Sequence, residues 1–152
     1  MGRLLHELPL SAADRSPGAP ALRHGTRTIE YGELATALQA TARALVGIGI
    51  AKLERVAVYL PKQFETVCTM FGAARAGLAF VPVNPILKAP QVGHILRDCN
   101  VRVLVTSAPR AAELATELAA CADLRHLVWC GPGSAPAAPP HVAVHDWSSW
   151  LA

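Results

Sequence analysis

The most constraining feature of the chain is an alternation that begins at Arg55. Val56–Leu60 is a short apolar run rich in β-branched residues, stopped by Pro61. A helical pattern follows, with Phe64, Val67, Cys68, Phe71 and Ala74 on one face and Gly77 beyond its end. Leu78–Val83 is the next apolar run, then Gln91–Cys99 reads as a helix with Pro90 suited to its first turn. Val101–Thr106 is a strand, and Ser107 stands where a cap would open one more helix, with Leu114, Ala115 and Leu118 inward. Leu127–Cys130 is a strand again. The result is β-α-β-α-β-α-β over residues 55–130. Strands apolar on both faces, joined by amphipathic helices, predict an α/β fold with a doubly wound parallel sheet covered on both sides.

The flanks are simpler. Leu4, Leu5, Leu8 and Leu10 predict a short N-terminal helix and a loop to Pro20. Ala21–Arg23 and Thr26–Ile29 around His24-Gly25 predict a small hairpin. Leu34, Leu38, Thr41, Leu45 and Ile48 put one stripe on a helix from Tyr31 to about Val46, ended by Gly47 and Gly49. Residues 131–140, rich in Pro, Gly, Ser and Ala, read as a loop. Val142–Val144 is one further candidate strand, with Asp146 as the cap of a last turn carrying Trp147, Trp150 and Leu151.

With 152 residues, 52% of them hydrophobic and 16% charged, the chain has enough apolar material for a packed core and too little charge to stay expanded. Its excess charge of +3, from 14 Lys+Arg against 11 Asp+Glu, is too small and too scattered along the sequence to point to nucleic acid or an anionic membrane. Cys68, Cys99, Cys121 and Cys130 form no CxxC pair, so they are expected to be reduced thiols, mostly buried, in a cytoplasmic protein. No apolar stretch is long enough to span a membrane, and His6 and Glu7 interrupt the N-terminal one that a signal peptide would need.

No reaction is legible in the residues. Gly47-Ile48-Gly49 follows a helix rather than a strand, and Gly131-Pro132-Gly133-Ser134 lacks the lysine and helix of a phosphate loop. Ser134 is outside any GxSxG, and His126 and Cys130 lie about 13 Å apart if both are on a strand. His94 with Asp98, and Glu113 with Glu117, fit solvated helix faces, and His145-Asp146 fits a helix cap. The carboxyl ends of the strands, where open α/β sheets bind ligands, carry Lys62, Asn84, Ser107 and Gly131. Lys62 can meet an anion there, although turn and cap roles explain these residues as well.

Three segments say more. Ile29-Glu30-Tyr31-Gly32-Glu33-Leu34 leads into an Ala/Leu helix, Arg55-Val56-Ala57-Val58-Tyr59-Leu60-Pro61 follows, and then comes Phe71-Gly72-Ala73-Ala74-Arg75-Ala76-Gly77-Leu78-Ala79-Phe80-Val81-Pro82-Val83-Asn84-Pro85. In order and spacing, over roughly residues 4–130, they resemble the first part of AMP-forming acyl-CoA synthetases, in the superfamily of adenylate-forming enzymes. Leu87-Lys88 and residues 91–106 look most like the acyl-CoA ligases found beside exosortase sorting systems. Glu30 departs from the family, which commonly has Thr or Ser there as a helix cap; Glu33 is expected to reach back to the first N–H groups instead.

The resemblance implies ATP-dependent adenylation of a carboxylic acid, then thioester formation with CoA, for a full-length enzyme using ATP, Mg and CoA. The family's Ser/Thr/Gly-rich phosphate loop, its adenine and ribose motifs and its C-terminal lid lysine do not occur in these residues, and Ala152 stands shortly before the place of the phosphate loop. Residues 1–152 therefore read as an incomplete N-terminal portion of an AMP-binding domain, with no catalytic, cofactor-binding or metal-binding residue of its own. Its partner would be the rest of the ligase polypeptide, and apolar faces left without their cover would favour self-association. The alternative is a stand-alone α/β module that binds a nucleotide, CoA or a protein through Lys62, Asn84 or Ser107, without catalysis.

Overall fold

A computed structural model describes residues 3–152. Helix α1 (Glu7–Arg15) precedes an antiparallel hairpin, β1 (Pro20–His24) and β2 (Arg27–Glu30), with Gly25 in the turn. Helix α2 (Tyr31–Gly47) follows. Then come β3 (Arg55–Tyr59), α3 (Phe64–Arg75), β4 (Ala79–Pro82), α4 (Ala89–Asp98), β5 (Val101–Ser107), α5 (Ala108–Glu113), α6 (Ala115–Ala119), β6 (His126–Cys130), β7 (Ala143–Asp146) and α7 (Trp147–Leu151). The five later strands form one parallel sheet in the order β4-β3-β5-β6-β7.

Successive strand residues face opposite sides, which divides the core in two. Val56, Val58, Val103, Val105 and Val128 face α2, α3 and α7. Ala57, Tyr59, Leu104 and Leu127 face α4, α5 and α6. Crossovers on both faces account for the doubly wound α/β fold that the alternation predicts. Glycine lets α3 lie against α2: a Cβ built on Gly72 would stand 2.6 Å from Thr41 Cγ2. Gly77, at φ +78°, turns the chain from α3 into β4.

Four expectations change. The single helix after Ser107 is two short ones, because Leu114, at φ −89° and ψ 0°, leaves the helical basin and its N–H is shared between the Arg110 and Ala111 carbonyls. Glu33 does not reach back to the start of α2; it pairs with Arg27 at 2.8 Å. Instead the loop before the hairpin supplies the cap, with Tyr31 N–H donating to Ala19 O (3.0 Å) and Gly32 N–H to Pro17 O (2.8 Å). The Gly32 bond satisfies a donor that a Thr or Ser side chain at the cap would otherwise serve, and the Tyr31 bond satisfies the first N–H of the helix, so Glu30 is tolerated. Third, Glu117 is not on a free solvated face: it pairs with Arg97 of α4 at 2.9 Å, packed against Gly93. The last strand begins at Ala143, and Val142 is buried beneath the residue 131–140 loop, on the α4–α6 side of the sheet.

Candidate functional site

Strand order fixes where a ligand would sit. From β3 the chain moves outward to β4, crosses back and continues from β5 to β7, so the crossovers diverge between β3 and β5. Beyond the carboxyl ends of those two strands lies the crevice where open α/β sheets bind ligands. Lys62 and Ser107 flank it, with Asn84 beyond β4 and Gly131 beyond β6.

Most polar groups here are already committed. Thr106 Oγ1 is buried and donates to Tyr59 O at 2.7 Å, tying β5 to β3. Asn84 Oδ1 accepts from the Ile86 N–H at 3.1 Å, a turn role. Ser107 occupies the cap position of α5 without a side-chain capping bond. Lys62 is exposed and makes no ion pair among the described residues. One grouping lies outside the sequence reading. The Arg110 guanidinium stacks 4.4 Å from the Tyr59 ring centre and donates to Pro85 O (3.0 Å), while Tyr59 Oη donates to Leu87 O (2.7 Å). These residues wall a cavity of about 440 Å³ that Lys88 and Glu113 also line. The available signal was that Arg110 sits in the first turn after β5, at the ligand end of the sheet. A second cavity, about 310 Å³, lies under Lys62 and is lined by Leu22, Ile29, Phe64, Val67 and Met70.

Nucleophile candidates do not assemble. Burial, with the nearby Glu65 carboxylate, pushes the Cys68 and Cys130 thiols up to about 12, the protonated and unreactive state at neutral pH. All four cysteines are free, and Cys68, Cys121 and Cys130 are buried, as expected of structural thiols. Ser134 is exposed in the loop, and His94 and Asp98 are exposed without a hydrogen bond to each other. His126 pairs with a second imidazole. Its Nδ1 lies 3.0 Å from Nε2 of His145 on the neighbouring strand, with Trp150 beyond.

That histidine pair predicts an acid-sensitive corner. Burial first, then the neighbouring His145 and Arg125, lowers the His126 pKa below its usual 6.5; burial alone lowers that of His145. The unfolded chain then takes up protons before the folded one as pH falls. Stability is full above about 6.5 and drops as pH descends through the lowered folded values. Melting temperatures of the wild type should decline below about pH 6.5, and His126→Gln with His145→Gln should flatten the profile. A wild-type profile as flat as that of the double variant would refute this origin.

A nucleotide triphosphate at this crevice would need several free donors. Among the described residues, Lys62 and Lys88 are exposed without an ion pair at this end of the sheet, the Thr106 hydroxyl and Arg110 are engaged, and the Gly131–Ser134 turn is followed by Pro-rich loop rather than a helix N-terminus. These residues do not by themselves make a phosphate cradle.

Three comparisons bear on this geometry. A family model described as AMP-binding enzyme matches residues 10–144. The chain is 36% identical over 117 residues to a feruloyl-CoA synthase of Amycolatopsis sp., covering 77% of this chain and 24% of that protein. It is 38% identical over 81 residues to the long-chain-fatty-acid–CoA ligase FadD13 of Mycobacterium tuberculosis, covering 53% of this chain and 16% of the ligase. Among solved structures, the anthranilate CoA ligase AuaEII in complex with anthranoyl-AMP superposes with a TM-score of 0.86 at 22% identity, over 98% of this chain and 28% of that one, a likeness of fold. The chain thus spans about a quarter of the length of the feruloyl-CoA synthase.

Proposed function

The chain belongs to the AMP-binding enzyme family, and from that premise we propose that it is the N-terminal portion of an AMP-forming acyl-CoA ligase. The full enzyme adenylates a carboxylic acid with ATP and then transfers the acyl group to CoA as a thioester. Residues 1–152 serve it as scaffold: a doubly wound wall against which the nucleotide and acyl sites are completed by the rest of the polypeptide. ATP, Mg and CoA belong to that whole enzyme, and no residue of this stretch is assigned a catalytic role. The single observation that carries the reading is the match to a CoA ligase at 36% identity over 77% of the chain. The resemblance of Leu87-Lys88 and residues 91–106 to exosortase-associated ligases supports that subgroup. Four free cysteines support a reducing, cytoplasmic setting. Among the described residues, no helix is long and apolar enough to cross a membrane.

ATP–pyrophosphate exchange tests the reading. Exchange is expected to be absent with this chain alone and to appear when the downstream ligase polypeptide is present. Exchange catalysed by residues 1–152 unaided would overturn it. Calorimetric binding of AMP or CoA to the isolated chain would favour the stand-alone module instead.

A further inference from the structure

Two histidines 19 positions apart in the chain meet on one face of the sheet. In the parallel pairing of β6 with β7, His126 stands opposite Ala143 and Val128 opposite His145. Side-chain alternation puts His126 and His145 on the same side as Val128, the side that α7 covers. Their ring centres are 5.2 Å apart, and His126 Nδ1 lies 3.0 Å from His145 Nε2. Only one proton fits between those two nitrogens, so one of them already points a lone pair at the other. A tautomer change carries that proton to an outer nitrogen, His126 Nε2 or His145 Nδ1. Neither outer nitrogen has a hydrogen-bond partner among the described residues. Both lone pairs then converge on the space between the rings.

The spacing selects a kind of ion. Two nitrogens bound to one metal at about 2.05 Å stand about 2.9 Å apart at a right-angled bite and about 3.3 Å apart at a tetrahedral one. The observed 3.0 Å is nearer the right angle, which tetragonal Cu(II) and Ni(II) favour. Burial lowers the pKa of both rings, so at neutral pH they are in the uncharged form that ligates. Arg125 is a like charge acting on His126, but it is exposed, and solvent screens it. No third His, Cys, Asp or Glu joins the pair among the described residues, so water takes the remaining positions. Without a carboxylate the pair has nothing to offer Mg, a hard ion that takes oxygen ligands.

We propose that His126 and His145 form a two-histidine site for a tetragonal divalent ion of the Cu(II) and Ni(II) class. The strands hold both ligands in place: β6 is bonded to β5 and β7, and the buried Trp147 packs α7 against the sheet just beyond His145. A bound ion joins the edge strand β7 to β6 by a second link besides their backbone ladder. The site is separate from the crevice at the carboxyl ends of β3 and β5, and the inference does not depend on the ligase reading.

Titration of the tag-free chain with nickel, read by calorimetry and by proton NMR of the histidine rings, tests it. Nickel is the probe because the free thiols of the chain would reduce Cu(II). One ion per chain should bind. With water as its other ligands the ion is paramagnetic, so it should broaden the His126 and His145 ring signals before those of the exposed His24 and His94. His126→Gln and His145→Gln should each weaken binding by about tenfold or more, since even outer-shell partners of a metal are worth that much. His24→Gln with His94→Gln should bind as the wild type does. Saturating nickel should raise the melting temperature of the wild type and of that control, and leave both single variants unchanged. The proposal fails if no ion binds at one per chain, if either single variant binds as the wild type does, or if the exposed histidines broaden first. It fails equally if Mg produces the same heat as nickel. The ring broadening needs no substitution, so it decides the matter even if a variant does not fold.

Discussion

Replacing Gly72 by alanine should lower the melting temperature by about 4–8 °C, although alanine is the better helix former. The sign follows from two opposing magnitudes. In a helix interior, Gly→Ala gains about 1 kcal/mol. Against that, the new Cβ would stand 2.6 Å from Thr41 Cγ2 and 2.7 Å from Thr41 Cβ. Thr41 Cβ is bonded to the α2 backbone, and the Thr41 hydroxyl is tied to Ala37 O at 2.8 Å, so neither atom can swing away. The helices must part, which opens the fully buried packing around Leu38, Leu45 and Cys68. Overpacking of that kind costs about 3 kcal/mol, leaving a net loss of about 2 kcal/mol. Gly47→Ala is the control. Its Cβ would meet nothing, so the same substitution at the exposed end of α2 should raise the melting temperature slightly. Equal shifts in the two variants would show that backbone entropy, not the α2–α3 approach, sets the effect. Adding Thr41→Ala to Gly72→Ala should restore only part of the loss, since the Thr41 Cβ position remains filled.

The close approach at Gly72 was legible in the sequence because small residues cluster there, with Ala73 and Ala76 beside it. So were the strands: Val56, Ala57 and Val58 are apolar in succession, which only a sheet covered on both faces accommodates. Local signals of this kind repeat at short spacing and need no partner to be read. What escaped was every feature made by residues far apart. Gly93 looks like a weak point in α4 until Glu117 is seen to fill the space its Cβ would take. Glu33 looks like a capping residue until the hairpin places Arg27 beside it. Arg110 and Tyr59 are 51 positions apart, and only the parallel pairing of β3 with β5 brings them together at the crevice. His126 and His145 meet for the same reason, through the pairing of β6 with β7. The candidate site was therefore readable as a location, the carboxyl ends of the strands, but not as a set of contacts.

Trp147→Ala should be the more damaging substitution, and a comparison within one turn of helix shows why. Asp146 caps α7: its Oδ2 accepts from the Ser149 N–H and Oγ, both at 3.0 Å. The bonds are exposed, so Asp146→Ala should cost about 1 kcal/mol. The adjacent Trp147 is 7% exposed and packs into the cluster of Val103, Val105 and Val128, with Trp150 5.9 Å away. Removing the indole should cost about 3–5 kcal/mol. In a domain whose whole stability is roughly 5–15 kcal/mol, that is a large share. The location adds to the effect. Strand β7 is an edge strand bonded only to β6, and α7 lies against α2 as well as the sheet, so Trp147 joins the last elements of the chain to one of the first. Amide hydrogen exchange reads this directly. In the Asp146→Ala variant, faster exchange should be confined to α7. In the Trp147→Ala variant it should spread to β7 and to the α2 face beneath it, with a melting temperature at least 6 °C lower by the usual scaling of roughly 2–4 °C per kcal/mol. If the two variants melt together, the cap rather than the buried ring holds this corner of the sheet, and Trp147 is no anchor of the core between the sheet and α2, α3 and α7.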